Sequence, residues 1–329
     1  MSTFNKIWKA AAIAGGAGLA ALATANATVR RKKAEPDESV LGGKSEFYDW
    51  LDGRIFYKVA GTGNPGPPLV FVHSIGVGHS SFTWRKNFDE LAKTHRVYAL
   101  DLLGFGYSDK PANVSYSADL YIELIRDFLR EVADPPAKVI AISLSATYAI
   151  RVADKYPELV HSLTLVSPTG AGILSNRPGM TGAAFYGILQ SPVLGTSFYN
   201  ALASERSIRD FAREQYFFDR NRVTKRFVNY HYVASHQPDA QHAIAAFLSG
   251  FLNTDARAGF ANLVQPVTLV WGKEDKTNPI EKAAELLQIN PRARLKIFDR
   301  CRMSPPEEHP EKFNALLRQV APARAFSAA

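Results

Sequence analysis

Ser143 stands where an apolar run, KVIAIS (138–143), gives way to LSATYAIRVADKYP (144–157), a stretch with helical spacing. A serine on a sharp strand-to-helix turn projects its hydroxyl from the end of a sheet. Such a turn needs small residues two positions before and after, here Ala141 and Ser145. A serine in this place can equally be a plain helix cap. To attack a carbonyl, the hydroxyl needs a base within hydrogen-bond reach and a carboxylate to orient that base. His231, His236 and His242 fall in a long helical stretch that could reach down over Ser143, and are possible substitute bases. His73 follows an apolar strand and reads as ordering its turn, and Asp101 reads the same way. His309 reads as a surface residue at the start of the last helix. Glu307 and Glu308 follow two prolines and read as first-turn acids favoured by the helix dipole. No Cys/His cluster has metal-ligand spacing, so no metal is expected. GTGNPG (61–66) lacks the Lys-Ser/Thr of a phosphate loop and reads as a turn, and no cofactor is implied.

These residues need a scaffold, and the chain supplies an alternation of strands and helices. SEFYDWLD and RIFYKVAG read as a strand pair turning through Asp52-Gly53. PLVFVH (68–73), HRVYALDL, KVIAIS and SLTLVS (162–167) are apolar strands. FTWRKNFDELAKT and SADLYIELIRDFLREVA (117–133) have helical spacing, the second with Ser117 as its cap. Strand, helix, strand in this rhythm predicts a doubly wound, mostly parallel α/β sheet. Between VSPTG and QPVTLVWG lies a long, mostly helical stretch rich in Phe and Tyr, too long for a bare loop. It predicts a helical cap over the sheet edge.

Several segments together resemble the α/β-hydrolase superfamily, from the strand pair near residue 46 to the C-terminus. VFVHSIG (70–76) is similar to the turn after the third strand that supplies an oxyanion donor, and ALDLLGFGYSDKP (99–111) to the segment after the fourth. VIAISLSA (139–146) resembles the nucleophile elbow, with Ala141 and Ser145 in place of the glycines of G-x-S-x-G. WGKEDKTNP (271–279) resembles the loop of the triad acid, which would be Asp275. The resemblance implies that Ser143 attacks a carbonyl, with N–H groups near Ser74 or Ile75 and of Leu144 holding the oxyanion. It also implies a histidine in CRMSPPEEHPEKF (301–313), where Arg302 takes the place of the family glycine and Met303 that of the histidine. A thioether cannot accept the serine proton. Removing the base from such a unit costs on the order of 10⁶ in turnover in another serine hydrolase, so the chain is also a pseudoenzyme candidate.

The net charge of +8 is concentrated at the N-terminus, where residues 1–33 hold six Lys and Arg and no acid. The rest is nearly neutral and shows no basic stripe with interleaved aromatics, so no nucleic-acid partner is expected. Residues 10–29 (AAAIAGGAGLAALATANATV) are uncharged, about the length that spans a bilayer, between Lys6 and Lys9 and the run Arg30 to Lys33. They read as a single membrane anchor with the body on the cytoplasmic side. Alternatives are a signal peptide cut after Ala25-Asn26-Ala27, implying export, or an organellar targeting segment. The lone Cys301 excludes an intrachain disulfide framework.

The expected organisation is an anchor or signal-like segment at 1–33, a linker at 34–45, core at 46–170, cap at 171–261 and core again at 262–329. The expected function is hydrolysis of a small lipophilic ester-like substrate with an impaired triad. The alternatives are non-catalytic binding of a lipophilic ligand, or a partner role in a membrane complex.

Overall fold

The computed structural model describes residues 18–29, 37–169, 174–176 and 178–319. Its strands are β1 (Lys44–Trp50), β2 (Gly53–Ala60), β3 (Leu69–Val72), β4 (Val97–Leu100), β5 (Ala137–Ile142), β6 (Val160–Val166), β7 (Val267–Gly272) and β8 (Arg294–Phe298). They form one sheet in the order β1-β2-β4-β3-β5-β6-β7-β8. Only the β1–β2 and β2–β4 pairings are antiparallel. Each parallel neighbour needs a crossover, which the helices provide. The α/β-hydrolase architecture expected from the sequence is therefore present.

The helices are α1 (18–29), α2 (Phe88–Ala92), α3 (Ala118–Glu131), α4 (Leu144–Lys155), α5 (Met180–Leu189), α6 (Leu194–Leu202), α7 (Glu205–Phe211), α8 (Lys225–Ser235), α9 (Gln241–Leu248), α10 (Arg257–Asn262), α11 (Glu281–Ile289), α12 (Pro305–Glu308) and α13 (Pro310–Gln319). A π-helical turn, Ala212–Tyr216, continues α7. Along the inner strands, alternate residues face opposite layers, as the two-residue period of a strand demands. Val70, Val72, Val139 and Ala141 join one core with α3 and α4. Leu69, Phe71, Ile140 and Ile142 join another with Trp84, Phe88 and Phe313. Burial on both faces explains why these strands read as continuous apolar runs.

Local details differ from the sequence expectation in places. FTWRKNFDELAKT is not one helix but a 3₁₀ turn, Ser81–Trp84, followed by α2. The break falls at Asn87, which is fully buried and donates through Nδ2 to Pro306 O at 3.2 Å and Asn314 Oδ1 at 2.8 Å. Ser117 does cap α3, accepting from Leu120 N at 3.2 Å. The β1–β2 turn is Leu51-Asp52, and Gly53 already pairs with Trp50 as the first residue of β2.

The stretch between β6 and β7 carries the helices α5 to α10, from Met180 to Asn262. α8 lies directly on the loop after β3, where a Cβ on Gly78 would strike the backbone of His231. At the N-terminus, α1 touches the cap through Asn26, whose Nδ2 donates to Val193 O at 3.1 Å and Ser197 Oγ at 3.0 Å. Among the described residues no helix is long and apolar enough to cross a membrane. Residues 1–17 and 30–36, which carry part of the expected anchor and all its basic flanks, lie outside the described residues.

Candidate active site

Ser143 follows β5 and precedes α4 with φ 58° and ψ −123°, a backbone conformation that non-glycine residues rarely adopt. Its N–H donates to Val166 O at 2.8 Å, and its side chain makes no capping bond. The geometry is that of an elbow rather than of an ordinary helix cap. Ser145 is fully buried and donates its hydroxyl to His73 O at 2.6 Å, which ties the elbow to the loop after β3. Glycine at 145 would lack this tie.

That loop carries Ser74 and Ile75, both buried. His73 fixes its path: Nδ1–H donates to Ser74 O at 2.7 Å, and Nε2 accepts from Leu102 N at 2.9 Å. With both ring nitrogens engaged and the ring fully buried, His73 orders the turn and is not free to exchange protons. Leu144 opens α4, so its N–H has no acceptor within the helix and is available to an oxyanion. Asp101 likewise braces turns, accepting from Ser81 N at 2.6 Å and Tyr107 N at 2.8 Å.

Asp275 follows β7, two strand spacings or about 10 Å from the end of β5. Its Oδ1 accepts from Thr277 N at 2.9 Å and Asn278 N at 3.0 Å. Oδ2 is buried without a hydrogen-bond partner. Burial raises the carboxyl above the usual range, against the N–H bonds and the neighbouring Ser167 hydroxyl, which favour the carboxylate.

Met303 sits beside that carboxylate's loop, its sulfur accepting from Thr277 Oγ1 at 3.4 Å, and it packs against the cap cluster of Phe82, Tyr216, Phe217 and Phe227. Arg302 has acquired a separate task. Its Nη1 donates to Arg213 O at 3.0 Å, Glu214 O at 2.7 Å and Phe217 O at 3.1 Å, at the end of the π-helical turn. Glu308 receives Arg302 N at 2.8 Å on one oxygen and Phe218 N at 2.8 Å on the other. Tyr216 donates its hydroxyl to Glu307 at 2.6 Å, and Arg85 pairs with the same carboxylate. The reading of Glu307 and Glu308 as simple first-turn acids is thus corrected: they are 1% and 2% exposed and fasten the cap to the core.

No histidine is hydrogen-bonded to Ser143 or Asp275 among the described residues. His231 is buried, its Nδ1 on Phe227 O at 3.0 Å. His236 bonds Tyr232 O at 2.7 Å, and His242 bonds Gln190 Oε1 at 2.9 Å, both within the cap. His309 lies 3.3 Å from Arg300 O. The residue that sequence reasoning passed over is His79, at the end of the loop after β3. It is buried between Tyr216 and His231, with Nδ1 unpartnered. Burial, with the His231 and His73 imidazoles, pulls its pKa down to about 3, and burial pulls His231 down to about 4. Both are neutral imidazoles at pH 7. The signal is the Gly-Val-Gly-His tail of the loop, where Gly78 lets the chain pass close under the cap and Gly76 leaves room for the His79 ring.

This sheet, elbow and cap define a class, and residues 67–310 match the family model for the alpha/beta hydrolase fold. The chain belongs to that family. Among curated relatives, a 2-hydroxymuconate semialdehyde hydrolase of Pseudomonas sp. (strain CF600) is 28% identical over 261 residues, covering 77% of this chain and 86% of that protein. Among solved structures, a meta-cleavage product hydrolase from Pseudomonas fluorescens IP01 superposes with a TM-score of 0.67 at 22% identity, over 85% of this chain and 97% of that one. A bacterial membrane phospholipase A gives a TM-score of 0.67 at 21% identity, over 97% of this chain and 99% of that one. At these identities the structural likenesses establish the fold alone.

Proposed function

We propose that the chain is a serine-nucleophile member of the family that binds a small lipophilic carbonyl compound, such as an ester, between cap and sheet. Ser143 is the nucleophile, N–H groups of Ile75 and Leu144 receive the oxyanion, and Asp275 is the triad acid. The observation that carries this reading is the Ser143 backbone. A left-handed φ at a serine costs on the order of 1–3 kcal/mol, and a mere helix cap has no use for it. Aromatic side chains on the cap side, with Phe82 stacked on Tyr230 at 3.9 Å, suit an apolar ligand. The substrates named for the curated relatives, among them 2-hydroxymuconate semialdehyde, are small organic molecules.

A second reading rests on Met303 and the unpartnered Asp275 Oδ2: the site binds its ligand without turning it over. Fluorophosphonate labelling of the whole chain against Ser143→Ala, with mass spectrometry of the adduct, separates the two. An adduct on Ser143 formed at the rate of ordinary serine hydrolases requires another activating group, with the neutral imidazoles of His79 on the loop after β3 and His231 on the cap the first to substitute. A folded chain without adduct supports ligand binding alone.

In the same reading residues 10–29 tether the chain to a membrane, with the basic flanks on the cytoplasmic side. The uncharged run between Lys6 and Lys9 and Arg30 to Lys33 supports this. Flotation with phospholipid vesicles tests it: protein left at the bottom of the gradient rejects the tether.

A further inference from the structure

Helix α5 contradicts the usual relation between composition and burial. A helix that is apolar around its whole circumference belongs in an interior. α5 (MTGAAFYGIL) carries no charge on any side, yet of its ten residues only Leu189 is buried. Met180 is 91% exposed and Ile188 57%. The next helix, α6, packs beside α5 and adds exposed Leu194 and Phe198. From Pro178 to Ser204 the sequence holds no acidic, basic or histidine residue at all. A contiguous apolar patch of this kind on a water-facing surface marks an interaction site.

What covers it is indicated by α1. Asn26 is clasped by α6, donating to Val193 O and Ser197 Oγ and accepting from Asn200 Nδ2 at 3.0 Å. Leu19 and Leu22 on α1 are exposed as well. The fold therefore brings α1, at the end of the uncharged run 10–29, against α6 in the uncharged stretch 178–204, on one side of the molecule. We propose that this joint face of α1, α5 and α6 lies on a phospholipid bilayer, with Met180, Ile188, Leu194 and Phe198 entering the boundary between headgroups and acyl chains.

Length and charge choose this occupant over a protein. A helix of ten residues is about 15 Å long, half the hydrocarbon thickness, so α5 and α6 can lie in the surface but cannot span it. The basic residues that bracket 10–29 would meet anionic headgroups, whereas the patch offers a protein partner no charge to read. The geometry also links the face to the site. Tyr199 of α6 donates to Ser235 O of α8 at 2.6 Å, and α8 rests on the loop after β3. A lipophilic ligand would then reach the cap from the membrane side. The inference deepens the tether proposed above and rests on it only for bringing the chain to the surface.

Cys301 is the sole cysteine and is fully buried, so a new surface cysteine can be labelled selectively. Ile188→Cys, Phe198→Cys and, as control, Leu51→Cys in the β1–β2 turn would each carry a nitrobenzoxadiazole fluorophore in the full chain. With vesicles of phosphatidylcholine and phosphatidylglycerol, the cap labels should shift to the blue and be quenched severalfold more by doxyl lipids than the label at 51. If the protein floats with the vesicles while the cap labels behave like the control, the tether stands and this inference fails. If the blue shift appears without lipid and grows with protein concentration, the face pairs with a second copy and the inference is overturned. If the protein does not float and no label shifts, both readings fall.

Discussion

Met303→His tests most directly the proposal that residue 303 occupies the place of the base. Asp275 Oδ1 is already occupied by Thr277 N and Asn278 N, while Oδ2 is buried and makes no hydrogen bond within 3.5 Å, its one polar neighbour being the Ser167 hydroxyl. An imidazole at 303 would donate Nδ1–H to that oxygen, a charge-assisted bond contributing about 1.5–3 kcal/mol, and would leave Nε2 to accept the Ser143 proton. The ceiling for the gain is the factor of about 10⁶ lost when such a base is removed from another serine hydrolase. Arg302 replaces the glycine before it and is held by three cap carbonyls, so the imidazole will not be ideally placed. A gain of about 10³, or ~4 kcal/mol of transition-state stabilisation, is the expected outcome. The assay is the second-order rate of fluorophosphonate modification, with Met303→His/Ser143→Ala as the blank and p-nitrophenyl butyrate turnover as the companion. Activity should appear with a new ionisation in the histidine range. A folded Met303→His protein that reacts within tenfold of its parent would refute the placement of Met303 in the base position.

Arg302→Ala should loosen the cap: losing the three carbonyl bonds costs about 3 kcal/mol, read by hydrogen exchange as faster exchange at 212–219 and little change in β5 or β7. Uniform acceleration across the sheet would show that the fastening is not local. Stability should fall as pH drops below about 6.5, because unfolding lets His79 and His231 take protons that their folded pKa values, about 3 and about 4, refuse. At pH 5 each accounts for about 2 kcal/mol, and His79→Gln should lower the slope of a urea-midpoint titration without abolishing it, since His231 and the buried His73 keep their shares; an unchanged slope would count against the burial of His79 as neutral. Ser143→Gly should raise the unfolding free energy by about 1–2 kcal/mol relative to Ser143→Ala, since only glycine relieves the positive φ. Equal melting temperatures for the two variants would mean the elbow is unstrained.

The sheet was legible because strands buried on both faces must be apolar throughout, and Val139, Leu163 and Leu269 display this without knowledge of their partners. Ser143 was legible because a strand and a helix abut there with no room for a loop. The position of Asp275 just after a strand could be read from the run that precedes it. What could not be read were roles assigned by distant contact. Glu307 follows two prolines and reads locally as a dipole-favoured acid, but its partners Tyr216 and Arg85 come from the cap and from the loop after β3. Arg302 looks like a damaged glycine until the π-helical carbonyls are seen around it. His79 was overlooked since a single histidine after two glycines carries no local signature of burial. The apolar character of α5 was plain in the sequence; its exposure was not, because composition alone predicts the opposite.

The loop bearing Arg302 has a second attachment. Glu274, next to Asp275, accepts Cys301 N through Oε2 at 2.9 Å, and its own N–H donates to Cys301 O at 3.0 Å. One short segment is therefore gripped on one side by the acid loop and on the other by the cap. Lifting the cap must strain that segment, and strain there is felt at the carboxylate. Entry and alignment become reciprocal variables: any ligand that prises the cap open perturbs Asp275, and any contact that steadies Asp275 holds the door shut by the same free energy.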